Sequence, residues 1–178
     1  VGSEMCIRDR DTGIVVVFLK IGMDVRWDAT MSVNDMVNEG VRRAYTHPDN
    51  VLRASIVDSP LGARKNTRDN TPAVIYHEVV PGDTVDVRLA AKGGGSEAKS
   101  KFVMLNPSDS IVDWVLKTVP TMGAGWCPPG MLGIGIGGSA EKAMVMAKES
   151  LMDPINIHDL IEKGPETPAE DCLLYTSD

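Results

Sequence analysis

The stretch that decides the fold is Ile14-Val15-Val16-Val17-Phe18-Leu19, six apolar residues in a row with no polar residue between them. Four are β-branched and none is helix-breaking, so the run reads as a strand buried on both faces rather than one with a wet side. A change of period follows. Ser32 stands before a segment in which Val33, Met36, Val37, Val41, Ala44 and Tyr45 recur at helical spacing. Asp35 lies three residues after Ser32, which gives an imperfect capping box. Pro48 is expected to end this helix, and Val51–Val57 is expected to resume as a strand. Strand, helix and strand from one stretch set the expected class as α+β, a mixed sheet with packed helices.

Working outward, Ser59 to Pro72 reads as a polar loop holding Pro60, Gly62, Arg64, Lys65 and Arg68, a charge pattern expected of a solvated segment. Ala73–Val80 and Thr84–Ala91 are expected to pair as a hairpin around Pro81-Gly82. In the second of these, Val85, Val87 and Leu89 alternate with Asp86 and Arg88, so one face should be wet. Phe102–Leu105 is expected to continue the sheet. Pro107-Ser108 should open a helix through Ile111, Trp114, Val115 and Val119, stopped at Pro120. Met131–Ile136 is strand-like but laced with glycine, and Ser139 should cap a last helix with Ala143, Met144, Ala147 and Leu151 inward. No internal repeat or linker is evident, so one domain is expected.

The two ends read differently. Met5-Cys6-Ile7-Arg8-Asp9-Arg10 can be encoded as ATG TGT ATA AGA GAC AG. Its reverse complement, read one base later and extended through Glu4, spells Cys172-Leu173-Leu174-Tyr175-Thr176-Ser177. Ends that encode one another backwards are expected to be a translated sequencing adapter, covering 1–10 and 172–178 and leaving 11–171 as the selected sequence.

The whole chain has 18 Lys and Arg against 25 Asp and Glu, a net charge of −7. This acidic balance argues against nucleic acid or an anionic membrane as the main partner. With 43% hydrophobic residues over 178, the chain can bury one ordinary core. No apolar run approaches the roughly 20 residues of a membrane span. Of the three cysteines, Cys6 and Cys172 fall in the presumed adapter, so Cys127 alone remains. An internal disulfide framework is then ruled out, as suits a reducing cytoplasm. His47, His77 and His158 stand at no metal-ligand spacing.

Three stretches carry chemistry. In Gly125-Trp126-Cys127-Pro128-Pro129-Gly130 two prolines stiffen the backbone after the cysteine, and glycines on either side permit sharp turns. Such a frame can hold a thiolate in a fixed direction for a metal or cluster, or it can simply surround a structural cysteine. Lys92-Gly93-Gly94-Gly95-Ser96 offers backbone amides beside a cation, a way to hold a carboxylate or phosphate, or else forms a flexible hairpin loop. Gly133-Ile134-Gly135-Ile136-Gly137-Gly138 contains the spacing of a dinucleotide fingerprint. Its glycines lie inside the apolar run rather than after it, however, and no second strand ending in an acid follows. A nucleotide-binding module is therefore the weaker reading beside close packing or a helix N-terminus facing an anion.

Taken in order, Asp11-Thr12-Gly13, Asn50-Val51-Leu52-Arg53, the Lys92–Ser96 loop, the Trp126–Gly130 turn and Gly137-Gly138-Ser139-Ala140-Glu141-Lys142 resemble class I, iron–sulfur fumarate hydratases over residues 11–162. The chain also resembles, less closely, the related tartrate dehydratase α chains. The resemblance implies the N-terminal domain of a hydro-lyase interconverting fumarate and (S)-malate, with a [4Fe–4S] cluster on three cysteines and one iron open to substrate as a Lewis acid.

Residue by residue, it assigns Cys127 as the middle ligand, Asp11 to proton transfer, Arg53 to a substrate carboxylate and Gly95 to a backbone contact with substrate. In the family a Cys-Gln pair precedes Asp-Thr-Gly, where this chain has Asp9-Arg10, and the third ligand falls beyond Asp171. Two of the three cluster ligands are thus expected to be missing, together with a C-terminal domain, and the fragment alone is expected to be inactive. A cytoplasmic location, a homodimer and a dicarboxylate substrate complete what the resemblance implies.

Overall fold

A computed structural model describes residues 13–126, 131–154 and 156–163. By their contacts the residues form two compact units. One runs to Lys101 and takes in Ala124–Leu132. The other consists of Phe102–Gly123 and the chain from Gly133 onward.

The first unit is organised by β1 (Ile14–Gly22), as its apolar run predicts. Every side chain from Val15 to Leu19 is buried, none more than 6% exposed. Alternate residues serve opposite faces. Val15, Val17 and Leu19 pack with Val41 and Tyr45 of α1 (Val33–Thr46), while on the other face the Phe18 ring stacks on Tyr76 at 4.7 Å.

The helix begins where its cap predicts. Ser32 Oγ accepts from the Asp35 amide at 3.2 Å and donates to the Asp35 carboxylate at 2.7 Å. Its inner stripe is narrower than the sequence suggests. Val33, Val37, Val41 and Tyr45 face the sheet, whereas Ala44 is exposed and Met36 lies in a shallow surface hollow with Met31, Gly40 and Arg43.

Two short strands, β2 (Val57–Asp58) and β3 (Lys65–Asn66), pair with each other and stand apart from the main sheet. The main sheet adds β4 (Val74–Val80) and β5 (Val85–Lys92) in the order β4-β1-β5. The expected hairpin is therefore absent: β4 runs parallel to β1, β5 antiparallel, and the two never pair. The physical reason lies in β1. A strand without a polar side chain over six residues belongs at the centre of a sheet, so it takes the place between the two half-polar strands.

The Pro81–Thr84 link instead crosses the end of β1. There the amides of Gly22, Met23 and Asp24 donate to the carbonyls of Thr84, Val80 and Gly82 at 2.8–2.9 Å. Val87 and Leu89 lie opposite Leu19 and Val17, yet they are exposed where the alternation predicts burial.

Four further expectations differ from the structure. Val51–Val57 is a strand only at Val57, where β2 begins; Phe102–Leu105 and Met131–Ile136 join no sheet among the described residues. Gly93 caps a five-residue helix, α2 (Gly94–Ala98), in place of a hairpin loop.

In the second unit, α3 (Ile111–Thr118) starts at Ser110, three residues after Pro107. Ser110 Oγ accepts from the Asp113 amide at 3.2 Å, and Val115 is the buried residue of the helix. The helix does not stop at Pro120. It passes into a 3-10 segment, Val119–Trp126, which breaks at Gly123 with φ 64° and ψ −169°.

The glycine-laced run packs on α4 (Ala140–Ser150). A Cβ at Gly133 or Gly135 would collide with the backbone carbonyls of Ala147 or Ala143. Of the readings open to these glycines, close packing is the one the geometry supports. Met144, expected inward, is half exposed. A short α5 (Ile157–Lys163) follows. Among the described residues no helix is long and apolar enough to cross a membrane.

Because backbone, rather than a mobile side-chain tip, faces Gly135, there is little room to yield. Gly135→Ala is expected to cost about 1–3 kcal/mol by overpacking, read as a lowered midpoint of urea unfolding. An unchanged midpoint would remove the packing role.

Candidate functional site

Arg53 lies in an irregular segment between α1 and β2, where asparagine side chains engage five backbone polar groups of residues 52–56. Before it, Asn50 Nδ2 donates to the carbonyls of Tyr45 and Leu52, and Asn50 Oδ1 accepts from the Leu52 amide, all at 2.9 Å. Immediately after it, the Ala54 carbonyl accepts from Asn66 Nδ2 at 2.8 Å. Next, the Ser55 and Ile56 amides both donate to Asn70 Oδ1, at 2.9 and 3.3 Å, while the Thr67 amide donates to the Ile56 carbonyl. These side chains replace the ladder that a strand would have supplied, which is why the expected strand does not form. The Arg53 side chain is exposed and has no hydrogen-bond or ion-pair partner among the described residues. A guanidinium fork held on a fixed backbone and left open can take a carboxylate through two parallel hydrogen bonds.

The segment is tied to the head of β1. A Cβ at Gly13 would overlap the Ser55 side chain, so Gly13 lets these two backbones approach. Gly13 lies two residues after Asp11, and Ser55 two residues after Arg53. On the neighbouring strand Lys92 pairs with Ile14, so the Gly93–Ser96 turn also starts at the head of β1. Ser96 Oγ donates to the Gly93 carbonyl at 2.9 Å, and the Glu97 amide to the same carbonyl at 3.2 Å.

Gly95 has its own constraint. A Cβ there would lie 2.5 Å from the carbonyl oxygen of Gly125, and a Cβ at Gly125 would lie 2.8 Å from Cε of Lys99. The Gly-Gly-Gly-Ser turn is thus packed against the chain leading to Cys127. Gly95→Ala is expected to lower unfolding stability by about 1–3 kcal/mol, since the obstacle is again backbone. Thermal unfolding measures it, and a wild-type midpoint would count against this contact.

Asn70 is the fully buried polar residue of the described chain, at 0% exposure. It sits at φ 59°, a left-handed conformation that asparagine tolerates better than most residues, and its Nδ2 has no partner there. An unpartnered buried donor costs about 1–3 kcal/mol. Its neighbours are anchored. The Asp69 carboxylate accepts from the Thr71 amide and hydroxyl at 3.1 and 2.8 Å and from Arg42 Nε at 3.1 Å. Burial pushes the Asp69 carboxyl up, but the hydrogen bonds from Thr71 and Arg42 outweigh it and hold the group below its ordinary value. Arg42 is also paired with Glu39 at 2.6 Å, and Asn38 Oδ1 accepts from the Ala73 amide at 2.8 Å. The turn holding Asn70 is therefore fastened to α1.

Of the residues singled out from sequence, the structure brings the backbones beside Arg53 and Gly95 to one end of one sheet. Asp11 and Cys127 lie outside the described residues. The same holds for Cys6 and Cys172, and among the described residues no group of three or more His, Cys, Asp or Glu could hold a metal. Sequence reading missed Asn66 and Asn70. It treated 59–72 as solvated, which fits the exposed Arg64, Lys65, Asn66 and Arg68 but not the fully buried Asn70. Their signal was available in Asn66-Thr67-Arg68-Asp69-Asn70-Thr71-Pro72, a density of side chains that bond to nearby backbone.

A family model described as fumarate hydratase (Fumerase) matches residues 4–174. The chain belongs to the fumarate hydratase family. Its relatives in that family include a proposed L(+)-tartrate dehydratase subunit alpha from Methanocaldococcus jannaschii. That protein is 35% identical over 153 residues, covering 82% of this chain and 53% of the relative. The L(+)-tartrate dehydratase subunit alpha of Escherichia coli strain UTI89 is 26% identical over 149 residues, covering 82% and 48%. The chain therefore spans about half the length of the curated relatives it matches.

Proposed function

We propose that this chain is the N-terminal part of a hydro-lyase that adds water to, or removes it from, a four-carbon dicarboxylate, with fumarate and (S)-malate as the substrate pair. The observation that carries the proposal is the junction at the head of β1. There Gly13 meets Ser55 of the clamped Arg53 segment, and the Gly93–Ser96 stretch starts alongside. A carboxylate binder together with a proton-transfer group suits a reaction that places hydroxyl on one carbon and a proton on the next. In this reading Arg53 fixes one substrate carboxylate, Asp11 moves the proton, and the backbone at Gly95 lines the site. Residues 1–10 and 172–178 are read as adapter, outside the enzyme.

A [4Fe–4S] cluster with Cys127 as one ligand belongs to the same proposal. The described residues supply no ligand set, and one thiolate does not satisfy a three-cysteine site, so residues 11–171 do not fit the cluster unaided. No step here runs through it. The first ligand is assigned to position 9, where this chain has Asp9, the third ligand and the rest of the substrate site to sequence beyond Asp171 or a partner chain, and the assembled enzyme to a cytoplasmic homodimer. The names of the relatives, subunit alpha of L(+)-tartrate dehydratase, support tartrate as the second reading. Comparing kcat/KM for dehydration of (S)-malate and of L(+)-tartrate by the complete enzyme decides between them. A preference for tartrate would replace the first substrate with the second and leave the reaction class intact.

A further inference from the structure

We infer that Asn70 is a positioning residue for substrate carboxylate binding, acting through the backbone of the Arg53 segment; the inference rests on the reading of Arg53 as a carboxylate binder. Arg53 is on no helix and in no ladder, so its direction depends on what grips the residues after it. Asn70 is the deepest of those grips. Its one oxygen receives two successive amides, Ser55 and Ile56, and its side chain is fully buried. Ser55 also abuts Gly13, so the same oxygen holds the Arg53 segment against the head of β1.

Two unfavourable features coincide at this residue, a left-handed backbone in a non-glycine residue and a buried amide donor without a partner. A turn that only needed to reverse the chain would adopt φ 59° more easily with glycine, and would bury no donor. Asn66 contributes from the other side through the Ala54 carbonyl, but it is exposed, so water can replace its bond. Water cannot reach Asn70 in this way.

The test is a double-mutant cycle in the cluster-loaded complete enzyme, with steady-state kinetics on its dicarboxylate substrate. Asn70→Gly suits the left-handed backbone while removing both hydrogen bonds, and Asn70→Asp keeps an acceptor in the same place. Asn70→Gly is expected to lower kcat/KM at least tenfold, chiefly through KM, with Asn70→Asp recovering most of it. In an Arg53→Met background Asn70→Gly should have little further effect, because the group it positions is gone. Full additivity of the two changes, or a wild-type KM in Asn70→Gly, would overturn the inference while leaving Arg53 in place. Wild-type kinetics in Arg53→Met alone would instead overturn the carboxylate reading, and this inference with it. Should Asn70→Gly not fold, Asn70→Ser takes its place in the cycle with the same expectations.

Discussion

Arg53→Met is expected to lower kcat/KM of the complete enzyme about 30- to 1000-fold, equivalent to about 2–4 kcal/mol of lost transition-state binding. The magnitude follows from what the exchange removes. Methionine keeps an unbranched apolar stem, and Arg53 has no partner among the described residues, so the fold loses no ion pair known to hold it together. In the proposed role, the exchange removes a charge-assisted, two-pronged contact and leaves a substrate carboxylate without its counter-charge. Lysine should recover little, because a point charge does not reproduce the fork. Cluster absorbance and unfolding midpoint should match the wild type, which separates a binding defect from a folding one. Wild-type kinetics with full cluster content would remove Arg53 from the site.

The second large effect is expected at Cys127. In the complete enzyme, Cys127→Ser should abolish the visible absorbance of the reconstituted cluster and reduce turnover to background. A hydroxyl does not supply the soft, fully ionised ligand that iron in such a cluster requires. The approach of Gly95 to Gly125 bears on this result, since it fixes the chain two residues before the cysteine. Serine is nearly the same size as cysteine, so a folding defect is not expected, and near-native circular dichroism should accompany the loss. A Cys127→Ser enzyme that retains one cluster per chain would show that Cys127 is a structural cysteine and not a ligand.

Elements set by local chemistry were legible in the sequence. Ile14–Leu19 announced a buried strand because an unbroken apolar run has no polar side to expose. Ser32 with Asp35 announced the start of the helix because the cap is made within four residues. Pairing was not legible. Nothing within 73–91 says that β1 will come between the two strands, since that choice is made by the greater apolar surface of a strand fifty residues earlier.

The second class of error came from side chains doing the work of a sheet. Val51–Val57 has strand composition, but its hydrogen bonds go to Asn66 and Asn70, which lie far along the chain. The glycines at 133 and 135 show the limit of a motif read without context. Their spacing suits a phosphate loop, and their observed task is to let a chain lie against the carbonyls of α4. Arg53 and Gly95 were assigned to the candidate site through family resemblance. The asparagine clamp, by contrast, emerged only from the three-dimensional contacts.

The enzyme containing this chain is expected to perform hydration chemistry on a four-carbon dicarboxylate. The most direct test is proton NMR of the anaerobically reconstituted complete enzyme in deuterated water, with fumarate and L(+)-tartrate supplied together. The fumarate vinyl signal is expected to be replaced by singly deuterated malate, at a rate that collapses in Arg53→Met. Unchanged fumarate and unchanged tartrate in a fully cluster-loaded sample would contradict this chemistry.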